Sequence, residues 1–141
     1  MSHHWLIGAI CLLSGCAMTV GELRQAPPNE VRSFPVNTPA LPYCVYHAIE
    51  LQGYTTTLMH PNRGDFIVTA THRIDAITRR QTAVVDVQFF AHDQATTVEL
   101  RNGIYGGQVM GRDMWPIVEV CARIAKERLD LLEQQTLNEP S

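Results

Sequence analysis

The chain has 141 residues, 45% of them hydrophobic, and carries a formal net charge of −3 at pH 7. This length is sufficient for one domain with a hydrophobic core. The mildly acidic balance, without a polybasic segment, argues against nucleic acid or anionic lipid headgroups as the main partner.

Near its start the chain has an apolar run, residues 5–13, which is followed directly by Ser14, Gly15 and Cys16. This run is far shorter than the roughly 20 residues that cross a bilayer as a helix, and it is typical of a signal peptide. The four residues Leu13, Ser14, Gly15 and Cys16 resemble the lipobox of bacterial lipoproteins. The resemblance implies removal of residues 1–15, acylation of Cys16 and, because Ala17 follows it, sorting to the outer membrane. An ordinary signal peptide or a short buried helix is the alternative.

Residues 16–40 are predicted to be the lipidated cysteine and a proline-rich linker. Periodicity is interrupted by Pro27, Pro28, Pro35 and Pro39. A fully extended linker of this length would reach roughly 80 Å and would hold the domain clear of the membrane. The alternative is that Val31, Phe34 and Val36 dock on the domain or on a partner.

The four cysteines predict one disulfide. Cys11 lies in the predicted signal peptide and Cys16 is the predicted lipidation site, so Cys44 and Cys121 remain. Because the implied compartment is oxidising, we expect these two to form a disulfide, which would stabilise the fold by about 4 kcal/mol. The alternative is a pair of buried thiols.

Residues 41–136 are predicted to form one α+β domain, and residues 137–141 are expected to fray. A helix is expected at 42–52, ending before Gly53, and a second at 113–135. Between them, four strands are expected at 55–60, 66–72, 82–91 and 96–101. Short connections favour antiparallel neighbours, so the prediction is a two-layer α-β-β-β-β-α fold, a four-stranded antiparallel meander sheet with both helices on one face.

The face of this sheet without helices is predicted to bind a partner. Val84 and Phe90 are expected to be exposed there together with Ile67, because they alternate with core residues, and Asp86 is expected to be solvated. Tyr105 in the glycine-rich loop 103–111 and Trp115 after it are expected to extend this surface. Core packing is the alternative for Trp115, and dimerisation is the alternative use of the face.

No pattern in the sequence predicts catalysis. After cleavage only Ser33 and Ser141 remain as serines, so the Gly-x-Ser-x-Gly turn of serine hydrolases is absent. His60 and His72 end adjacent predicted strands and would meet at one rim, but scattered surface histidines are the preferred interpretation. Asp86 with Glu99 is the most suggestive carboxylate pair. We therefore predict no catalytic residues, no metal and no cofactor.

These features together predict a lipid-anchored periplasmic protein of the outer membrane that is not an enzyme. Its expected role is that of an accessory or assembly subunit that binds an envelope protein, or of a homodimer. Pilotin-like and secretion-accessory lipoproteins are similar in size and layout. The alternatives are a small-ligand binder with a pocket lined by Tyr105, Trp115 and Phe90, and an inhibitor or immunity lipoprotein directed against a secreted toxin.

Overall fold

The computed structural model describes residues 19–73, 81–103 and 114–138. Within this part of the chain the helices are α1 (Val20–Gln25), α2 (Ala40–Glu50) and α3 (Met114–Asn138). The strands are β1 (Glu30–Phe34), β2 (Thr55–Met59), β3 (Phe66–Arg73), β4 (Gln81–Ala91) and β5 (Thr96–Asn102). The predicted lipidation site Cys16 and most of the predicted glycine-rich loop, including Tyr105, lie outside the described residues.

The strands form one antiparallel sheet in the order β1-β5-β4-β3-β2. Strands β2 to β5 are the expected meander, and their bounds differ from the predicted ones by at most one residue at each end. The α+β class is confirmed. The strand number is wrong, because β1 pairs with β5 and adds a fifth strand at the edge.

The chain before residue 40 is not a free linker, since it contains both α1 and β1. Helix α1 begins in a capping box, in which the Thr19 hydroxyl accepts from the Glu22 amide at 3.3 Å and the Glu22 carboxylate accepts from the Thr19 amide at 2.8 Å. The hydrogen bond from the Thr19 backbone, and then that from its hydroxyl, hold the pKa of Glu22 below its usual range. Burial of Leu23 and Val36 then fixes both ends of the segment on the domain.

The three helices lie on both faces of the sheet. Helices α2 and α3 pack together over one face, here called the helix face, as the sequence predicts. Helix α1 packs over β4 and β5 on the opposite face, here called the α1 face. The core between the sheet and α2 and α3 is mainly aliphatic and includes Val45, Ile49, Val68, Val85, Val87, Phe89, Val98, Leu100 and Val118.

Cys44 of α2 and Cys121 of α3 form a disulfide across a sequence separation of 77 residues, which confirms that prediction. Each cysteine lies on the side of its helix that faces the other helix, because the apolar stripes of α2 and α3 share one core. Helix α2 is followed by Gly53 with a φ of +86°, the left-handed position expected after it. The disulfide therefore ties together the two helices of the helix face.

Candidate binding surfaces

The centre of the α1 face is a buried polar cluster around Asp86 of β4. The Asp86 side chain is 0% exposed, and its Oδ1 lies 3.3 Å from the Arg24 Nε of α1. Its carboxylate also accepts hydrogen bonds from the Thr69 hydroxyl at 2.6 Å and from the Gln88 amide at 2.9 Å. Arg24 donates a further hydrogen bond to the Thr69 hydroxyl at 2.9 Å. The solvated Asp86 expected from the sequence is therefore wrong, because α1 covers it.

A second arginine ties the end of α1 to the sheet. Arg101 of β5 is the cross-strand neighbour of Asp86, and its Nε donates to the Ala26 carbonyl at 2.8 Å. Its Nη2 donates to Glu99 at 2.7 Å. Asp86 and Glu99, suggested by the sequence as a carboxylate pair, are thus each paired with a different arginine. This arrangement holds α1 in place on the sheet.

The other half of the α1 face is not covered by α1 and combines polar with apolar side chains. Ile67 and Phe90 are half-buried there. Val31 and Met59, on the two edge strands, are 50% and 43% exposed. This uncovered half is a mixed surface of the kind that the sequence predicts for the open face.

The five residues predicted to bind a partner do not form one surface. Phe90 and Ile67 lie on the uncovered half of the α1 face, whereas Val84 is buried, so the exposure expected for it is wrong. Trp115 is buried on the helix face, where core packing is the correct alternative. Tyr105 lies outside the described residues. A single pocket lined by Phe90 and Trp115 is excluded, because the two side chains lie on opposite faces of the sheet.

Trp115 instead joins the edge strand β1 to α3. Its indole N–H donates to the Glu30 carboxylate, and its ring stacks on Phe34 with centroids 6.4 Å apart. The Arg32 guanidinium lies 4.3 Å from the centroid of the same ring and also donates to Glu119 of α3 at 2.6 Å. The tryptophan is therefore committed to holding β1 in the fold.

Helix α3 extends well beyond the body of the domain. It has 25 residues, whereas α2, which packs beside its first half, has 11. After Ala125, which is buried, the described side chains are exposed except for the half-buried Leu129. Residues 126–138, here called the α3 extension, are about 20 Å long. Leu131 and Leu132 are 59% and 60% exposed on it.

An apolar groove of about 440 Å³ lies where the α3 extension leaves the domain. One wall is formed by Thr38 and Ala40 at the start of α2, and the other by Ala125, Leu129 and Leu132 of α3. The apolar stripe of α3 thus passes without interruption from the domain core into an open groove. A long helix with exposed leucines beside such a groove is a typical site for another helix.

The histidines do not converge on a site. His60 follows β2 and contacts Phe66 with ring centroids 4.3 Å apart, whereas His72 lies near the opposite end of β3, beside Tyr54. The expectation that they meet at one rim is wrong. Because β2 and β3 are antiparallel, their C-terminal ends point in opposite directions along the strands. Within residues 19–73, 81–103 and 114–138, no group of three or more His, Cys, Asp or Glu side chains suits a metal ion.

One sequence signal could have revealed part of what the linker prediction missed. Thr19 and Glu22 have the T-x-x-E spacing of a capping box, which marks the start of a helix. No comparable signal marks β1, because its side towards Trp115 carries Glu30 and Arg32 as well as Phe34. The prolines at 27, 28, 35 and 39 indicated a linker, although all four lie outside α1 and β1.

Among the described residues, no helix combines the length and apolar character needed to cross a membrane. No protein-family model matches the chain, and no curated protein sequence matches it at a significant level.

Proposed function

We propose that this protein is an outer-membrane lipoprotein that faces the periplasm and works, without catalysis, as an accessory or assembly subunit of an envelope complex. The anchor is Cys16, on the strength of the Leu-Ser-Gly-Cys resemblance. The Cys44–Cys121 disulfide is consistent with an oxidising compartment. The binding surface is the α3 extension with its groove.

One observation carries this proposal, namely that the core stripe of α3 continues into exposed leucines. Covering a leucine side chain contributes about 1.5–3 kcal/mol when its burial is complete. Leu131 and Leu132 obtain little of this gain within the domain, since more than half of each side chain is exposed. Ordering a helix of this length beyond its own domain is most easily explained if another helix packs against it.

The test is site-specific photo-crosslinking in cells that make the full chain. A photoreactive amino acid at Leu132 is compared with the same group at Glu127, which is also exposed on α3 but points away from the groove. We expect an adduct with one envelope protein from Leu132 and little or none from Glu127. Equal adducts from both positions, or none from Leu132, would overturn the assignment of the surface.

The anchor is tested separately by metabolic labelling with palmitate. We expect the label in the wild-type protein and its loss in Cys16→Ser. If both proteins remain unlabelled, the lipoprotein proposal fails even when the crosslink is found. If both are labelled, Cys16 is not the anchor.

Self-association through the same helix is the second candidate, favoured by the charge pattern. Ala125, Leu129 and Leu132 have the alternating spacing of a coiled-coil seam, and Lys126 and Glu133 flank it at equivalent positions one heptad apart. In an antiparallel pair of copies, each Lys126 would lie beside Glu133 of the other copy. A Leu132 crosslink between two copies, weakened by Lys126→Glu and restored by adding Glu133→Lys, would favour this candidate over a different envelope protein.

A further inference from the structure

The distance between the proposed anchor and the first fixed residue of the domain is very short. Only Ala17, Met18 and Thr19 separate Cys16 from the start of α1. From Cys16 to Thr19 the chain can span at most roughly 11 Å, even when fully extended. The reach of roughly 80 Å that a linker would provide is therefore not open to this chain, because its residues are used in α1 and β1.

Helix α1 is held firmly enough to transmit this restraint to the domain. Leu23 is buried, Arg24 pairs with Asp86, and Arg101 holds the carbonyl of Ala26. Immediately after α1, the Asn29 amide donates to the Leu100 carbonyl at 2.8 Å and starts β1. The first described residue, Thr19, is the exposed N-cap of α1 and therefore lies on the side of the α1 face.

We infer that the α1 face rests on the phospholipid bilayer, an inference that depends on the proposed anchor at Cys16. A short tether at the α1 face brings this face close to the headgroups and turns the helix face and the α3 extension towards the periplasm. The uncovered half of the α1 face then meets the bilayer. It has apolar side chains on both edge strands, Val31 and Met59, and between them Ile67 and Phe90.

The charges of this face fit a phospholipid surface that is bound without a basic patch. Arg24 and Arg101 are each paired with a carboxylate, Asp86 and Glu99 respectively. Glu22, at the start of α1, is engaged in the capping box. The contact therefore relies on the anchor and on apolar side chains at headgroup depth, and it has a weak dependence on salt.

The orientation also divides the molecule between its two proposed tasks. The surface predicted from the sequence to bind a protein, the open face of the sheet, is turned towards lipid. The α3 extension, on the opposite side of the sheet, remains accessible to a protein partner. A partner therefore approaches from the periplasm and not along the membrane surface.

The test measures how close each face lies to the lipid. The full lipidated protein is purified and reconstituted in phosphatidylethanolamine–phosphatidylglycerol vesicles that contain a headgroup nitroxide quencher. A fluorophore is attached to Ser33→Cys on β1, to Thr57→Cys on β2 or, as the matched control, to Gln134→Cys on α3. All three positions are exposed, and the first two lie on the two edge strands of the α1 face.

We expect quenching at positions 33 and 57 to exceed that at position 134 several-fold. Equal quenching at all three positions, or stronger quenching at 134, would overturn the inference. Strong quenching at only one of positions 33 and 57 would also overturn it, since the domain would then stand on an edge of the sheet.

Flotation of the vesicles and the mass of the purified protein separate this inference from the proposed function. A protein that carries no acyl chains and does not float with the vesicles contradicts the anchor itself. A protein that is acylated and floats, but that is quenched equally at positions 33, 57 and 134, contradicts only the orientation.

Discussion

At the scale of the residue, Asp86 has the environment that matters most for the stability of the α1 face. It is fully buried and paired with Arg24, while the Thr69 hydroxyl and the Gln88 amide complete its hydrogen bonds. A buried carboxylate that loses its cation costs several kcal/mol, whereas an exposed ion pair contributes little. The Arg24–Asp86 ion pair therefore holds the short helix α1 against the sheet.

We expect Arg24→Met to lower the free energy of unfolding by about 3 kcal/mol, because the Asp86 charge would remain buried without its partner. Adding Asp86→Asn should recover part of this loss. Urea unfolding at neutral pH measures both. The matched control is Lys126→Met, which breaks the exposed Lys126–Asp130 pair and should cost less than about 0.5 kcal/mol. If Arg24→Met and Lys126→Met lower the free energy of unfolding equally, the Arg24–Asp86 pair does not stabilise the fold.

Two glycines give a paired test of backbone packing. A Cβ on Gly103 would clash with the Ala83 carbonyl oxygen, whereas one on Gly21 of α1 would meet nothing within 4 Å. We expect Gly103→Ala to cost about 2 kcal/mol or more by overpacking, and Gly21→Ala to stabilise by about 0.5 kcal/mol. Thermal unfolding distinguishes them by the sign of the shift in Tm. A neutral Gly103→Ala would contradict the close approach of β4 and β5 at this point.

Among the secondary-structure elements, the three helices are stabilised in different ways. The disulfide joins α2 to α3, whereas a capping box starts α1. Helices of the length of α1 and α2 are marginal in isolation and depend on packing or covalent restraint. Helix α1 has the Thr19–Glu22 capping box and the Arg24–Asp86 ion pair, and α2 has Cys44 and a stripe of buried residues. Along the α3 extension, by contrast, the described side chains are exposed except for the half-buried Leu129.

We expect the double variant Cys44→Ala, Cys121→Ala to be less stable than the oxidised protein by about 4 kcal/mol, because the closed loop of 77 residues no longer restricts the unfolded chain. Urea unfolding of the variant, beside the wild-type protein with and without reductant, measures this loss. The reduced wild-type protein should resemble the variant. A loss below about 1 kcal/mol would show that the unfolded chain is compact even without the disulfide.

For the molecule as a whole, residues 19–39 form part of the domain itself. They supply the edge strand, a partial third layer and the buried Val36. The described part of this segment therefore belongs to the domain. The proposed anchor at Cys16 would attach this domain directly at one face, without a long linker.

Truncation tests this description. A chain beginning at residue 37 loses α1 and β1, leaves Asp86 without Arg24 and exposes one edge of β5. We expect it to unfold without cooperativity or to aggregate, as measured by circular dichroism during heating. A chain beginning at residue 19 is the control and should unfold as cooperatively as the longer protein. If the chain from residue 37 has the same Tm as this control, α1 and β1 are dispensable.

Local patterns in the sequence predict the elements from residue 40 onwards and the cysteine pairing. The alternation of Val85, Val87 and Phe89 with Asp86 and Gln88, together with the turn residues between the strands, predicts the meander correctly, because those signals come from neighbours in the chain. The disulfide is predicted by elimination, because Cys44 and Cys121 are the two cysteines that remain once Cys11 and Cys16 are assigned to the signal peptide and to lipidation. The short apolar run ending at Cys16 predicts an anchor, which remains a prediction.

Contacts between distant segments control what covers the α1 face, which residues are exposed there and how much of α3 projects beyond the domain. The burial of Asp86 depends on a helix about 60 positions earlier in the chain, and no periodicity within β4 contains that information. The strand β1 likewise exists because the edge of β5 offers unpaired backbone groups. The burial of Asp86 and the formation of β1 both depend on contacts between distant segments, and these contacts exist only in the folded sheet.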